Sequence, residues 1–148
     1  MKKVNVKVYD RTELRKLASE PFEEKTAVIS IRDSDAPDIS LQHEPDFMLR
    51  LSFDDAYSSD FDADDNMLFI NFSENQAQEI AEFVMSCKNK VRIIICQCEM
   101  GQSRSAAVAA VISEYLNGDG IRFFADGRYS PNLYVFQMLY RVLKKAGI

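Results

Sequence analysis

Histidine is nearly absent from this chain, and its scarcity removes several kinds of active site. The single histidine, His43, lies in a polar stretch interrupted by Pro37. A Ser-His-Asp hydrolase would have to use this histidine, and no signal places it beside a nucleophile. The three cysteines do not combine with histidine at the spacing of zinc ligands, so no zinc site is expected.

The chain also lacks long apolar runs and an excess of positive charge. No apolar stretch approaches the length of a transmembrane helix, and the basic residues near Met1 are not followed by the apolar stretch of a signal peptide. The formal net charge is −5. This charge argues against a broad surface for nucleic acid or for an anionic membrane, while a local positive pocket is compatible with it.

The remaining composition is that of an ordinary globular protein. The 148 residues are 47% hydrophobic and 28% charged, which suits one domain over residues 1–148 with a sizeable core. Apolar patterns predict strands at 4–8, 26–31, 47–53 and 93–96, and periodicity with capping signals predicts helices at 12–18, 73–86, 105–116 and 130–145. Because strands and helices interleave, we predict a three-layer α/β fold with a mixed, mainly parallel sheet flanked by helices.

The most informative segment lies between the fourth predicted strand and the third predicted helix. It runs from Cys98 to Ser105 and reads Cys-Glu-Met-Gly-Gln-Ser-Arg-Ser. A loop at a helix start can gather backbone N–H groups and the positive end of the helix dipole around an anion. That field favours the thiolate form of Cys98. Arg104 adds a planar pair of donors for phosphate oxygens, and Gly101 lets the backbone turn and approach the anion closely.

This segment resembles the phosphate-binding loop of the cysteine-dependent protein tyrosine phosphatases, Cys-x-x-Gly-x-x-Arg-Ser/Thr, particularly that of the compact dual-specificity branch and its small bacterial relatives. The resemblance implies hydrolysis of a phosphomonoester through a phosphocysteine intermediate, without a metal or other cofactor. It makes Cys98 the nucleophile, Arg104 the binder of the substrate phosphate and transition state, and Ser105 a hydrogen-bond donor to the sulfur. The remaining oxygens would be held by the main-chain amides of Glu99, Met100, Gly101, Gln102, Ser103 and Arg104.

One residue departs from the family pattern. The family usually has a histidine directly before the nucleophile, where this chain has Gln97. In the family that histidine helps to hold the thiolate, whereas a neutral glutamine can only orient its neighbours by hydrogen bonding. Two alternatives therefore remain open, a slow enzyme and a phosphate-binding relative with little turnover.

The leaving oxygen of a phosphate ester needs a proton, which a positioned carboxylic acid can supply. In the compact members of the family, a strand of alternating apolar residues ends directly in this acid. Here Leu51 and Phe53 belong to such a strand, and the next position in its period is Asp55. We therefore favour Asp55 over Asp54 as the proton donor. Its separation from the nucleophile is larger than usual in the family and requires an insertion at 56–66.

Asn132 and Cys96 have interpretations that the sequence leaves open. The segment from Pro131 resembles the closing segment of the family, in which an Asn side chain supports the phosphate loop, so the resemblance implies that role for Asn132. Ordinary helix-start chemistry is the alternative. By strand alternation, Cys96 faces the same side as Cys98, which makes it either a core residue or a partner for a reversible link to an oxidised Cys98.

The acidic loop after the third strand imitates part of a calcium site. Asp60, Asp62 and Asp64 have the spacing of the first half of a calcium-binding loop. Asp65 and Asn71 stand where that loop needs a glycine and a glutamate. We therefore expect a solvated acidic flap and no metal site.

These features together predict a small cysteine phosphatase of the dual-specificity type. Because Cys98 has to remain a thiol, a reducing cytoplasm is the expected location. Expected partners are a phosphorylated protein or a small phosphomonoester, with phosphate, sulfate or vanadate as an active-site anion and no nucleic acid or membrane. Glu99 and Gln102 disfavour polyanions, so phosphotyrosine or an aryl phosphate is favoured. The alternatives are a catalytically weak phosphate-binding protein and a rhodanese-like sulfurtransferase, although the spacing from Cys98 to Arg104 fits a phosphate loop better.

Overall fold

The computed structural model describes residues 3–56 and 70–146. The acidic positions Asp60, Asp62 and Asp64, and with them the predicted flap, lie outside the described residues. Within the described ranges the elements are, in chain order, β1 (Asn5–Tyr9), α1 (Arg11–Leu17), β2 (Thr26–Arg32), β3 (Phe47–Ser52), α2 (Glu74–Cys87), β4 (Ile93–Gln97), α3 (Arg104–Asn117), α4 (Arg122–Ala125) and α5 (Leu133–Lys145).

The four described strands form one sheet in the order β1-β4-β2-β3. Every pairing among them is parallel, so this part of the sheet has no antiparallel member, where the sequence predicted a mixed, mainly parallel sheet. At the end of β4, Gln97 lies opposite Tyr9 on β1 and Ser30 on β2. The carboxyl ends of parallel strands share one edge, so the segments that follow β1, β2 and β4 meet there.

Helices cover both faces of the sheet, which confirms the predicted three-layer α/β architecture. The larger core packs α2, α3 and α5 against one face, and it includes Ile29, Ile94 and Leu139, all fully buried. On the opposite face, Leu14 of α1 packs with Val28 and other apolar side chains. Side chains alternate between the faces of a strand, which explains why neighbours such as Val28 and Ile29 belong to different cores.

Capping explains where α1, α2 and α5 begin. Asp10 and Glu13 form a capping box at α1, with the Glu13 N–H donating to Asp10 Oδ1 at 2.7 Å, and Ser73 starts α2 in the same way. The prediction that α5 starts at Ser130 and Pro131 is wrong by two residues. Asn132 is the N-cap, and its Oδ1 accepts a hydrogen bond from the N–H of Val135.

Residues 3–56 and 70–146 contain neither a membrane-spanning helix nor a metal-binding cluster. No helix there is long and apolar enough to cross a membrane. No group of three or more histidine, cysteine, aspartate or glutamate side chains there could hold a metal ion.

Candidate active site

The segment from Cys98 to Ser105 lies at the carboxyl edge of the sheet, between the end of β4 and the first turn of α3. Cys98 is buried, with 1% of its surface exposed. Its Sγ lies 3.0 Å from the Oγ of Ser105, on the first turn of α3. The strand-loop-helix order that the sequence predicted therefore places a sulfur, a hydroxyl and a helix N-terminus together.

The loop offers backbone donors that the described part of the protein does not use. No N–H of residues 99–103 donates a hydrogen bond to a described backbone or side-chain acceptor. Ser103 occupies the N-cap position of α3, yet its side chain makes no capping hydrogen bond. The start of α3 therefore keeps free donors at the positive end of the helix dipole, which suits an anion.

Gly101 allows the loop to pack against the junction of β1 and α1. Its φ is +63°, a conformation that favours glycine. A Cβ at this position would lie 2.7 Å from the backbone nitrogen of Asp10 and 2.9 Å from the carbonyl carbon of Tyr9. Beside it, the N–H of Arg11 donates to the Glu99 carbonyl at 3.3 Å, and the guanidinium of Arg11 lies 3.8 Å from the Glu99 carboxylate. That ion pair offsets the charge of the acidic residue in the loop.

Arg104 is buried where the edge of the sheet meets α3, with 5% of its surface exposed. Its Nη1 donates to the carbonyl of Phe53 at 2.8 Å and lies 2.7 Å from Oδ1 of Asp33. Its Nε is buried and has no hydrogen-bond partner among the described residues. One end of the guanidinium is therefore fixed by the protein while a donor beside it is unused.

Sequence reasoning missed Asp33. The available signal was its place directly after β2, because β2 is the neighbour of β4 and the segments after parallel strands meet at one edge of the sheet. Strand order depends on the tertiary structure, so the signal could be used only once that order was known.

Asp55 contacts both the loop and the start of α5. Its Oδ1 accepts a hydrogen bond from Ser103 Oγ at 2.9 Å and another from Asn132 Nδ2 at 2.7 Å. Asn132 is fully buried, and it also donates from Nδ2 to the carbonyl of Ala56 at 2.9 Å and from its N–H to the carbonyl of Ser103 at 3.1 Å. Asn132 therefore connects the segment that follows β3, at Asp55 and Ala56, with the loop before α3.

Asp54 has a different environment. Its carboxylate accepts hydrogen bonds from the N–H of Ile70 at 2.8 Å, from the N–H of Ser34 at 2.9 Å and from Ser34 Oγ at 2.7 Å. Partial burial raises the pKa of Asp54, but the bonds from Ile70 and Ser34 and the charge of Arg104 outweigh it and lower the pKa below its ordinary value. A carboxyl group with a lowered pKa holds little proton to donate near neutral pH, so Asp54 is poorly suited to that role.

Gln97 is fully buried and connects two strands. Its Oε1 accepts a hydrogen bond from Ser30 Oγ on β2, and its Nε2 has no partner among the described residues. The glutamine therefore orients β4 against β2 through a neutral hydrogen bond.

Met100 and Gln102 are the remaining predicted phosphate-binding residues of the loop. The side chain of Met100 is at the surface, with 67% of it exposed. The carbonyl of Gln102 accepts a hydrogen bond from the N–H of Ser130 at 2.8 Å.

Cys96, the cysteine on β4, is part of the core. Cys96 is completely buried, and the three cysteines are free thiols. Burial, followed by the nearby Cys98, raises the pKa of the Cys96 thiol. A thiol with a raised pKa is a poor nucleophile, so a packing role suits it, and a link to an oxidised Cys98 remains a prediction.

Comparison with known proteins identifies the fold. No family model matches the sequence, and no curated protein matches it. Among solved structures, human DUSP28 is similar at 12% identity with a TM-score of 0.58, over 95% of this chain and 92% of that chain. The human tyrosine phosphatase-like serine/threonine/tyrosine-interacting protein is similar at 16% identity and a TM-score of 0.56, over 93% and 86%. A mouse putative dual specificity phosphatase complexed with zinc tungstate is similar at 14% identity and a TM-score of 0.54, over 92% and 80%.

These likenesses concern the fold. The chain has the architecture of the compact dual-specificity phosphatases, as its resemblance to that branch predicted.

Proposed function

We propose that this protein hydrolyses a phosphomonoester through a phosphocysteine intermediate on Cys98. One observation carries the proposal: a buried cysteine begins a loop whose N–H groups are unused by the described residues, at an uncapped helix start beside a buried arginine. Backbone donors, a helix dipole and a guanidinium bind a tetrahedral oxyanion well. The family resemblance of the motif and the shared fold support the same reaction.

In the first step, the Cys98 thiolate attacks phosphorus in line with the leaving oxygen. The S–P bond forms as the P–O bond to the alcohol or phenol breaks. Arg104 and the loop amides stabilise the charge on the equatorial oxygens, because hydrogen bonds from preorganised donors become stronger as charge develops in the transition state. Asp55 gives its proton to the leaving oxygen, and its contacts with Ser103 and Asn132 keep the carboxyl group beside the loop.

In the second step, water attacks the phosphocysteine and releases inorganic phosphate. Asp55, now a carboxylate, takes a proton from the water, and the S–P bond breaks to return the thiolate. Ser105 donates a hydrogen bond to the departing sulfur, a role that suits its position 3.0 Å from Sγ. No metal or other cofactor takes part in either step.

The substrate class follows from the charges beside the loop. Glu99 forms an ion pair with Arg11, and together the two side chains have no net positive charge that could bind additional phosphates. We therefore favour a protein phosphotyrosine or a small aryl phosphate over a polyphosphorylated ligand. Phosphate, sulfate, vanadate and tungstate are the proposed anions of this pocket, and tungstate accompanies the similar mouse protein. A reducing cytoplasm is the location that this thiol chemistry favours.

Hydrolysis of an aryl phosphate by a matched set of variants tests the proposal. Cys98→Ser and Arg104→Ala are expected to abolish measurable turnover. Asp55→Asn is expected to lose about 10²–10³-fold on a substrate with a poor leaving group, and less with a good one, since a good leaving group needs no proton. Asp54→Asn is the matched control and is expected to have the milder effect once rates are corrected for the folded fraction.

Several outcomes would contradict parts of the proposal. Turnover by Cys98→Ser would exclude the phosphocysteine route, and equal, negligible effects of the two aspartate variants would exclude Asp55 as the donor. Binding of a phosphotyrosine peptide without turnover between about pH 5 and 8 would instead favour the phosphate-binding alternative that Gln97 motivates. Transfer of sulfur from thiosulfate to cyanide would favour the sulfurtransferase.

A further inference from the structure

Arg104 is held by a carboxylate that the proposed reaction does not use. Oδ1 of Asp33 lies 2.7 Å from Nη1 of Arg104. The same nitrogen donates to the carbonyl of Phe53 at 2.8 Å. The Asp33 side chain is 39% exposed and the Arg104 side chain is 6% exposed, so the ion pair lies at the boundary between the buried guanidinium and solvent.

Asp33 and Phe53 both contact Nη1 of Arg104, which belongs to a planar and rigid guanidinium. Fixing Nη1 fixes the direction of the remaining donors. Among those donors, Nε is buried and has no partner among the described residues. A buried donor without a partner is costly unless a ligand supplies an acceptor. The geometry therefore leaves the Nε side of Arg104 for an oxyanion.

We propose that Asp33 is a positioning residue, which holds Arg104 by Nη1 so that the Nε side of its guanidinium faces the substrate phosphate. The inference rests on the proposed function and adds to it a residue outside the Cys98–Ser105 segment. Within the described structure Asp33 makes no hydrogen bond or ion pair with Cys98 or with residues 99–103, and it acts through Arg104.

The loop that carries Asp33 is itself fixed on both sides. Arg32, at the end of β2, donates from Nε to Asp38 Oδ1 at 2.9 Å and from Nη1 to the carbonyl of Asp33 at 3.2 Å. The following residue, Ser34, donates its N–H and its hydroxyl to the carboxylate of Asp54. A positioning group has to be held by its own neighbours, and Asp33 meets that requirement.

The same loop provides a matched control. Asp35 is exposed and makes no hydrogen bond or ion pair within the described part of the chain. Asp35→Asn removes the same charge from the same loop without touching Arg104. Any effect of Asp33→Asn beyond that of Asp35→Asn therefore belongs to the ion pair and not to the general charge near the pocket.

The experiment compares wild type, Asp33→Asn, Asp33→Glu and Asp35→Asn by three measurements. These are aryl phosphate hydrolysis, direct binding of vanadate and of inorganic phosphate by calorimetric titration, and thermal unfolding. Vanadate bound to a thiolate takes the five-coordinate geometry of the transition state. A misplaced donor therefore weakens the binding of vanadate more than the binding of phosphate. Asp33→Asn is expected to lose about 10–100-fold in kcat/KM and to weaken vanadate more than phosphate. Asp35→Asn should match wild type, and Asp33→Glu should recover part of the loss because it keeps the charge.

The outcomes separate this inference from the proposed function. Equal kcat/KM for Asp33→Asn and Asp35→Asn would overturn the inference while leaving the phosphatase intact, as would tighter vanadate binding by Asp33→Asn. A purely structural role would lower the unfolding temperature and weaken both anions alike, which also contradicts positioning. If wild type shows no turnover, the proposed function fails, and the vanadate-to-phosphate comparison still decides the role of Asp33. If Asp33→Asn does not fold, the ratio of vanadate affinity to phosphate affinity is compared between Asp33→Glu and wild type. A lower ratio in Asp33→Glu supports positioning, and an unchanged ratio contradicts it.

Discussion

Asp54 and Asp55 are adjacent in the sequence, yet their surroundings give them different chemistry. Asp54 accepts hydrogen bonds from Ser34 and Ile70, which stabilise its charged form and tie together segments that are distant in the chain. Asp55 is exposed and bonds to Ser103 at the loop. Asp54 therefore has the contacts of a structural brace, whereas Asp55 lies beside the loop, where the proposed reaction requires its proton donor.

Replacing Asp54 tests the brace through its pH dependence. Because the folded protein lowers the pKa of Asp54 below its ordinary value of 3.8, its stabilising effect is present above the unfolded pKa and disappears as pH falls through the folded pKa. Asp54→Asn is expected to cost about 1–2 kcal/mol near neutral pH. The difference from wild type should shrink toward zero as the pH falls below the ordinary carboxyl value. Urea unfolding at several pH values measures it.

The control for this prediction is Asp35→Asn, which removes an exposed charge without described hydrogen bonds. It should follow the wild-type stability curve within about 0.5 kcal/mol. A deficit of Asp54→Asn that is equally large in acid would show that the loss is one of packing or shape and not of a charged hydrogen-bond acceptor.

At the scale of elements, the unit of β4, the loop and α3 places the candidate nucleophile. The strand ends at Gln97, the loop turns at Gly101, and the helix begins at Arg104 with its first donors uncapped. The turn depends on close approach to the β1–α1 junction, where a side chain would collide with the backbone of Asp10. The shape of the loop is therefore set by a contact with a separate element.

Gly101 and Gly118 provide a matched pair for testing that contact. Both have positive φ, +63° and +72°, but only Gly101 has backbone atoms where a Cβ would lie. Gly118→Ala is expected to cost about 1–2 kcal/mol for its left-handed backbone. Gly101→Ala should cost more, and it should also reduce phosphate binding and aryl phosphate hydrolysis because the loop has to shift. Urea unfolding and phosphate titration check both variants.

Two results would contradict this account of the loop. Equal stability losses for the two alanine variants would remove the role of the Asp10 contact. Unchanged phosphate binding by Gly101→Ala would show that the loop tolerates displacement of its backbone.

At the scale of the molecule, the parallel sheet assembles the site from segments that are far apart in sequence. Asp33 follows β2, Asp55 follows β3, and Cys98 follows β4, while Asn132 enters from the start of α5. Parallel strands direct all their carboxyl ends to one edge. The packing of α3 and α5 against the sheet then holds these groups in contact, so the stability of the core and the geometry of the site are coupled.

We propose that residues 1–148 form a single cooperative domain, and Leu139 tests this. Leu139 is fully buried between α5 and the core, whereas Leu133 on the same helix is 56% exposed. Leu139→Ala is expected to cost about 2–5 kcal/mol, and Leu133→Ala less than about 0.5 kcal/mol. Far-UV circular dichroism and tyrosine fluorescence should follow one shared transition that Leu139→Ala moves as a whole. Separate transitions for the two probes would indicate more than one folding unit.

The elements and the motif could be predicted because their signals are local. The alternation of Leu51 and Phe53, the capping box at Ser73 and the spacing from Cys98 to Arg104 each involve residues within about one turn or one strand of each other. The short helix α4 was not predicted, since four residues carry too little periodicity. The cap of α5 was misplaced because Ser130 and Asn132 are both good capping residues.

The order of the amino acids was enough to predict the α/β class, the resemblance to compact dual-specificity phosphatases and the strand-loop-helix segment that begins at Cys98. The carboxylates that reach that segment became known from the folded chain, in which Asp33 pairs with Arg104 while Asp54 bonds to Ser34 and Ile70. These contacts depend on the strand order β1-β4-β2-β3. That order is set by the burial of apolar faces across the whole chain, and no short stretch of sequence contains it.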